Sequence, residues 1–262
     1  MILVSIVALL LGLNGYLLLK IYMPGDQKAV LSPADSPQQE APVEPCKDLS
    51  GMVWIPGGTF TMGSPKGVGN TNEYPRHTVT VNGFYIDTTE VTQEKYSRVM
   101  GENPSLTKDC ADCPVENVTW HDAMAYCRKT GKRLPTEAEW EYACRAGSAA
   151  DNYWGRDSSE KYAWFRENAQ DKIHPVGLKI PNNFGLHDMI GNVWEWCGDW
   201  FDSTYYEKSP LKNPHGPDTG MHRVLRGGGW LNNLSTLRSA LRDGAVPEDQ
   251  SDLFGFRCVC SQ

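Results

Sequence analysis

Asn182–Trp200 reads NNFGLHDMIGNVWEWCGDW, and the rest of the chain is best understood outward from it. Its nineteen positions hold three tryptophans, three acidic residues, one cysteine and three glycines. Gly185, Gly191 and Gly198 interrupt every periodic run, so no helix or strand with one simple apolar face is predicted. A segment both aromatic-rich and glycine-broken is expected to be buried loop, its carbonyls needing partners outside a regular ladder. Carboxylates and carbonyls beside indole rings suggest a hard-cation site, with calcium the first candidate. A core loop whose tryptophans fill space accounts for the same spacing equally well.

The chain has 262 residues, 40% of them hydrophobic, enough to bury one large domain with appendages. Nine Trp and eleven Tyr among 25 Gly and 17 Pro point to a loop-rich domain rather than a helical bundle. The formal charge of −7, without a block of like charge, excludes nucleic acid as an expected partner. Eight cysteines fit disulfides if the domain lies outside the cytosol, and free thiols or metal ligands otherwise.

The N-terminus chooses between these. Residues 2–19, ILVSIVALLLGLNGYLLL, carry no charge, and extended through Met23 the run reaches the roughly 20 residues a membrane span needs. No Lys or Arg precedes it, and neither an A-x-A cleavage site nor a lipid-accepting cysteine follows. Residues 1–23 are therefore expected to be an uncleaved transmembrane anchor. Residues 24–50, with five prolines and almost no large apolar side chain, read as a disordered tether at roughly 3 Å per residue. Cys46 is positioned to staple that tether to the domain. Residues 51–262 form the globular part, expected outside the cytoplasm, periplasmic or extracellular.

Within the domain, Gly51–Gly63 alternates around Gly57–Gly58 and reads as a hairpin, and His77–Tyr85 as a second, turning at Asn82–Gly83. A helix is predicted to begin near Glu90–Thr92, where Glu90 reads either as a helix-start carboxylate favoured by the dipole or as a functional acid. Cys110-Ala-Asp-Cys113 stands without a second C-x-x-C and favours a small disulfide loop. Pro114–Thr119 reads as a short strand, with Thr119 capping a helix over Trp120–Thr130. Thr136 opens another, whose carboxylates Glu137 and Glu139 read as salt-bridged scaffold. Arg223–Trp230 is predicted as a strand entering three glycines, Arg238–Arg242 as its continuation, and Phe254–Cys260 as the last strand. The six histidines are scattered, and His121, His187 and His222 are the ones in or near the landmark segments.

In order, MVWIPGGTFTMGS, HTVTVNGFYIDTTEVTQEKY, PVENVTWHDAMAYCRKTGKRLPTEAEWEYACRAG, NNFGLHDMIGNVWEWCGDW, RVLRGGGW and GFRC resemble the formylglycine-generating enzyme (sulfatase-modifying factor) family, across essentially the whole domain. The resemblance implies an α+β fold related to C-type lectins, with little regular secondary structure and bound structural calcium. Gly191, Asn192, Val193 and Glu195 match the family's calcium loop, with backbone oxygens and the Glu195 carboxylate as implied ligands. A second family calcium site would fall near Ala163–Asp171, but that segment is shortened and its ligands do not carry over. The resemblance also implies a Cys127–Cys258 disulfide. Cys144 and Cys197, in the two aromatic landmarks, are a possible further pair.

The resemblance fails at the chemistry. A formylglycine generator resembling this chain binds copper(I) through two cysteines five residues apart, just after the glycine-rich strand. Here Asn232 and Leu237 stand at those positions, and neither an amide nor an alkyl group binds copper(I) or exchanges thiols. Copper is not an expected cofactor. The iron-binding helical domain of the related sulfoxide synthases is also missing from this sequence. Arg226, Asn232, Asn233, Arg238 and Arg242 are expected to surround a cleft, the arginines either holding an anionic substrate or serving as salt bridges and strand-edge charge. The first reading is a membrane-tethered, calcium-stabilised binding or scaffold module holding a peptide, glycan or protein in that cleft. The alternative is an oxidoreductase acting on a protein, peptide or siderophore precursor through other residues. A third is an accessory that binds unfolded sulfatase without oxidising it.

Overall fold

The computed structural model describes residues 46 and 48–261. The expected anchor over residues 1–23 and most of the tether lie outside them. No helix among the described residues is long and apolar enough to cross a membrane.

Four strands open the domain: β1 (Met52–Ile55), β2 (Gly58–Met62), β3 (His77–Val81) and β4 (Phe84–Asp87). Neither predicted hairpin forms. Instead β1 pairs with β4 and β2 with β3, both antiparallel, and the register runs on unbroken from Ile55↔Phe84 to Gly58↔Val81. The four strands are one long ribbon folded at a corner, with Pro56–Gly57 on one side and Asn82–Gly83 on the other. The corner requires glycine, because a Cβ on Gly57 would stand 2.8 Å from the Gly83 nitrogen and 2.9 Å from the Val81 oxygen. Contact between the two glycine pairs outweighs the local turn preference of Asn-Gly.

Three helices follow. Thr92, Thr119 and Thr136 cap α1 (Gln93–Met100), α2 (Trp120–Lys129) and α3 (Glu137–Arg145), each hydroxyl accepting a first-turn backbone N–H. Asp122 and Glu139 complete reciprocal capping boxes on α2 and α3. Pro114–Thr119 is not a strand; only an isolated bridge joins Pro114 to Thr92.

The central sheet has the order β7-β6-β5-β8, from β5 (Trp194–Trp200), β6 (Arg223–Arg226), β7 (Arg242–Ala245) and β8 (Phe254–Gly255). The opening stretch is thus loop only as far as Val193. Its second half is one of the sheet's two inner strands, concealed in sequence because Trp194–Cys197 is buried on both faces and the pairing shifts between Trp196 and Trp200. Residues 238–241 do not extend β6; β7 begins at Arg242 and returns antiparallel beside it. The predicted last strand divides: β8 joins β5 in parallel, while β9 (Val259–Ser261) joins β4 in the first sheet.

Helix α3 packs against β2, β3, β5 and β6, so it bridges ribbon and central sheet. Its inward carboxylates are fully paired. Glu137 accepts from Arg242 at 2.6 and 2.8 Å, and Glu141 accepts from Arg145 at 2.8 Å and from Arg226 at 2.5 Å. All five side chains are buried, and Glu137 and Glu139 are salt-bridged scaffold as the sequence suggests. Arg226 also donates to the carbonyls of Ser239 and Ala240, which fixes the chain leading into β7. Arg226→Ala would leave Glu141 with Arg145 as its one remaining guanidinium and the Ser239 and Ala240 carbonyls unpaired, a loss of about 3–5 kcal/mol for a broken buried pair. Urea denaturation should show that loss, while Lys161→Ala, at an exposed pair, leaves the midpoint within error.

Candidate functional site

The segment preceding β5 is organised by a buried charge cluster. Glu195 accepts from Arg257 through Nε and Nη2, both at 2.7 Å, and from the Trp140 indole at 2.8 Å. Its carboxylate is therefore occupied by an arginine and an indole. Asn192, held at φ 58°, is equally committed. Its carbonyl accepts from the Trp230 backbone, its Oδ1 from the His174 backbone, and its Nδ2 donates to Glu90 Oε1 at 3.2 Å. Gly191 sits against Trp164, where a Cβ would lie 2.3 Å from that residue's carbonyl.

Two carboxylates in this cluster have an unpartnered oxygen, Glu90 Oε2 and Asp188 Oδ1. Glu90 is not a helix-start residue: it precedes the Thr92 cap and is fully buried. Burial raises its carboxyl well above the usual range, and the Asp188 charge pushes the same way. Burial also raises Asp188, opposed by the Gly177 N–H that donates to its other oxygen at 2.7 Å. Three acidic groups thus face one guanidinium, Arg257, in the protein interior. Two unpartnered carboxylate oxygens in one buried cluster have the ligand chemistry that a hard divalent cation such as calcium takes. Among the described residues no three His, Cys, Asp or Glu side chains converge as a ligand set, so backbone oxygens would have to complete it. Asp188 lies inside the opening stretch, where only its place in that segment marks it. Glu90 and Arg257 are brought in by folding from distant sequence.

The five residues expected around a cleft separate. Arg226 and Arg242 are buried in the α3 ion network. Arg238 pairs with buried Glu73. Asn233 is exposed ahead of the short turn Leu234–Thr236. Only Asn232 lines a pocket, of about 330 Å³, with Arg166, Trp194, Leu231, Asp243 and Phe254 among its walls. There its Oδ1 accepts from the Gly229 backbone at 2.9 Å and from the Trp194 indole at 3.1 Å. Leu237 is buried against Gly228 and belongs to the main core.

Cys46 is disulfide-bonded to Cys260, and Cys110 to Cys113. The disulfide implied between Cys127 and Cys258 is not formed; their sulfurs meet at 3.1 Å as buried thiols. Cys144 and Cys197 are likewise unpaired and buried. Burial pushes the Cys144 thiol up to about 12 and those of Cys197 and Cys258 well above the ordinary value, so none offers a thiolate at neutral pH. The three landmark histidines do not meet: His121 faces Glu248 at 3.5 Å, the His187 ring contacts the Lys179 carbonyl, and His222 is exposed.

This is an α+β domain whose glycine-rich strand and tryptophan strand share one sheet, braced by a capped helix of buried carboxylates. Residues 37–262 match the family described as the sulfatase-modifying factor enzyme 1-like domain, and the chain belongs to that family. It is 34% identical to a formylglycine-generating enzyme of Streptomyces coelicolor, over 88% of this chain and 96% of the relative. Among solved structures, variable protein 1 of Treponema denticola superposes with a TM-score of 0.73 at 30% identity, covering 80% of this chain and 94% of that one. PvdO of Pseudomonas aeruginosa gives 0.72 at 30% identity, with the same coverage.

Removal of the Asn232 acceptor leaves the buried Trp194 indole and the Gly229 amide without a partner. Asn232→Ala should lower stability by about 1–3 kcal/mol in chemical denaturation. Asn233→Ala, at the exposed neighbour, should not.

Proposed function

We propose that this chain is a membrane-tethered, extracytoplasmic member of the sulfatase-modifying factor family, serving as a calcium-stabilised binding or scaffold module without copper–cysteine chemistry. The observation that carries this reading is the pair of residues at positions 232 and 237. Where the resemblance implies two copper-binding cysteines, an asparagine holds the glycine turn and a leucine fills the core. The four unpaired cysteines are buried, which leaves no accessible thiolate to replace them. Two disulfides support an oxidising compartment, with residues 1–23 as the membrane anchor and residues 24–50 as the tether.

Calcium would be held by Asp188 and Glu90 through their unpartnered oxygens, with the carbonyls of Gly191 and Val193 completing the site. The cation would offset the excess buried negative charge and pin the loop leading into β5. Glu195 would act one step removed, through Arg257. A partner in the pocket at Asn232 would meet Arg166 and Asp243 at its rim and apolar walls within. A peptide segment suits that mixture. The 34% identity to a formylglycine-generating enzyme favours a second reading, an oxidoreductase working through other residues on a protein, peptide or siderophore precursor.

The two readings part in one assay. Incubated in air with copper and a Cys-X-Pro-X-Arg peptide, the domain should leave the cysteine mass unchanged; its conversion to an aldehyde would overturn the scaffold reading. In calcium-free buffer the melting temperature should fall by several degrees and return with added calcium, at about 2–4 °C per kcal/mol for a domain of this size. Asp188→Asn should abolish the calcium response, and a response that persists in this variant would remove Asp188 from the site.

A further inference from the structure

A larger groove lies at the folded corner of the ribbon. It has a volume of about 850 Å³ and shares no lining residue with the pocket at Asn232. Gly57, Gly58 and Gly83 contribute to it from the corner, the side chain of Trp54 stands beside them, and Arg133, Thr136 and Glu139 close the opposite side.

Three features define what such a groove can recognise. The first is an aromatic surface held in place. Trp54 is 39% exposed, an unusual degree for the largest apolar side chain, yet it is fixed from two sides. Its ring packs on Tyr85 with centroids 5.0 Å apart, and it lies so close over Gly83 that a Cβ there would stand 2.4 Å from the indole. An exposed ring with little freedom to lose is a preorganised platform.

The second is neutral charge. The only ionised side chains lining the groove are Arg133 and Glu139, and they satisfy each other in a two-point pair, both contacts at 2.7 Å. The remaining guanidinium donors reach Ser261 Oγ and the Leu134 carbonyl, so no free charge is left for an ionic ligand.

The third is a set of neutral hydrogen-bonding groups around the platform. The side-chain amide of Asn82 is exposed and has no hydrogen-bond partner among the described residues. Asn213 uses its Oδ1 to accept from the Asn82 backbone, which leaves its amide hydrogens for a ligand. The Thr136 hydroxyl accepts from the Glu139 backbone and retains its own proton to donate.

We infer that this groove is a binding site for a neutral saccharide, one or two sugar rings stacking on Trp54 with their hydroxyls on Asn82, Asn213 and Thr136. A pyranose presents an apolar C–H face and an equatorial belt of hydroxyls, which matches an indole ringed by amides. An anionic sugar would have no free cation to meet, and an apolar peptide side chain would bury the amides unpartnered. The volume lies within the range of small-ligand pockets. A site for glycan at the ribbon corner is separate from whatever the pocket at Asn232 holds, so the two readings stand or fall independently.

The test uses three neutral trisaccharides as probes, maltotriose, cellotriose and triacetylchitotriose, with sialyllactose as the anionic comparison. Binding is followed by tryptophan fluorescence and by saturation-transfer NMR on the folded domain. At least one neutral probe should bind with a dissociation constant of about 1 mM or tighter. Trp54→Ala should weaken it at least tenfold, and Asn82→Ala severalfold. Asn82→Ala removes a side chain with no partner in the fold, so its melting temperature should equal that of the parent and its loss of binding cannot be unfolding. No binding by any neutral probe, binding unchanged by both variants, or tighter binding of sialyllactose would each overturn the proposal.

Discussion

The structure depends on taking charge out of water and never leaving it alone. Glu137 and Glu141 project from α3 into the interface between ribbon and sheet, where Arg145, Arg226 and Arg242 meet them. Each arginine also donates to backbone carbonyls: Arg145 to Gly63 and Ala150, Arg226 to Ser239 and Ala240 with its Nε left unpartnered, Arg242 to Asn72 and Asp202. Loops that would otherwise bury unpaired carbonyls are satisfied by side chains instead of by a ladder. A domain with little regular secondary structure can thus have a dense interior.

The Glu195–Arg257 pair repeats the device on the other side of Trp140, whose indole donates to Glu195. Arg257 also donates to the carbonyls of Asp87 and His187, and so joins the end of β4, the loop before β5 and the last segment of the chain. Glu90 and Asp188 stand beside it with one unpartnered oxygen each, so three acidic groups face one guanidinium. That imbalance underlies the proposal of calcium there. Binding, in this account, belongs to the edges of the scaffold, at the pocket beside Asn232 and at the ribbon corner beneath Trp54.

Much of the fold could be read from local signals. Threonine caps with a carboxylate three residues on announce α2 and α3, and the Cys110–Cys113 spacing announces its disulfide, because both ends of each interaction lie within a few residues. What could not be read is long-range. Asn82–Gly83 has the composition of a hairpin turn, and only its contact with Gly57 makes it one side of a corner. Arg226 next to a glycine-rich strand looks like a cleft residue; its partner Glu141 is 85 positions away, and nothing local reveals that both are buried. Trp194–Cys197 hid a strand because a strand covered on both faces has no alternation to detect. The departure at positions 232 and 237 was visible in sequence, but the roles of Asn232 and Leu237 in turn and core needed coordinates.

The central claim is that the positions of the family's copper-binding cysteines have become structural in this chain. Titration of the folded domain, its two disulfides kept intact, with copper(I) against a competing chelator tests it most directly. The account predicts no stoichiometric copper bound, and the same result for Asn232→Ala. One equivalent of copper held by the folded domain would contradict it.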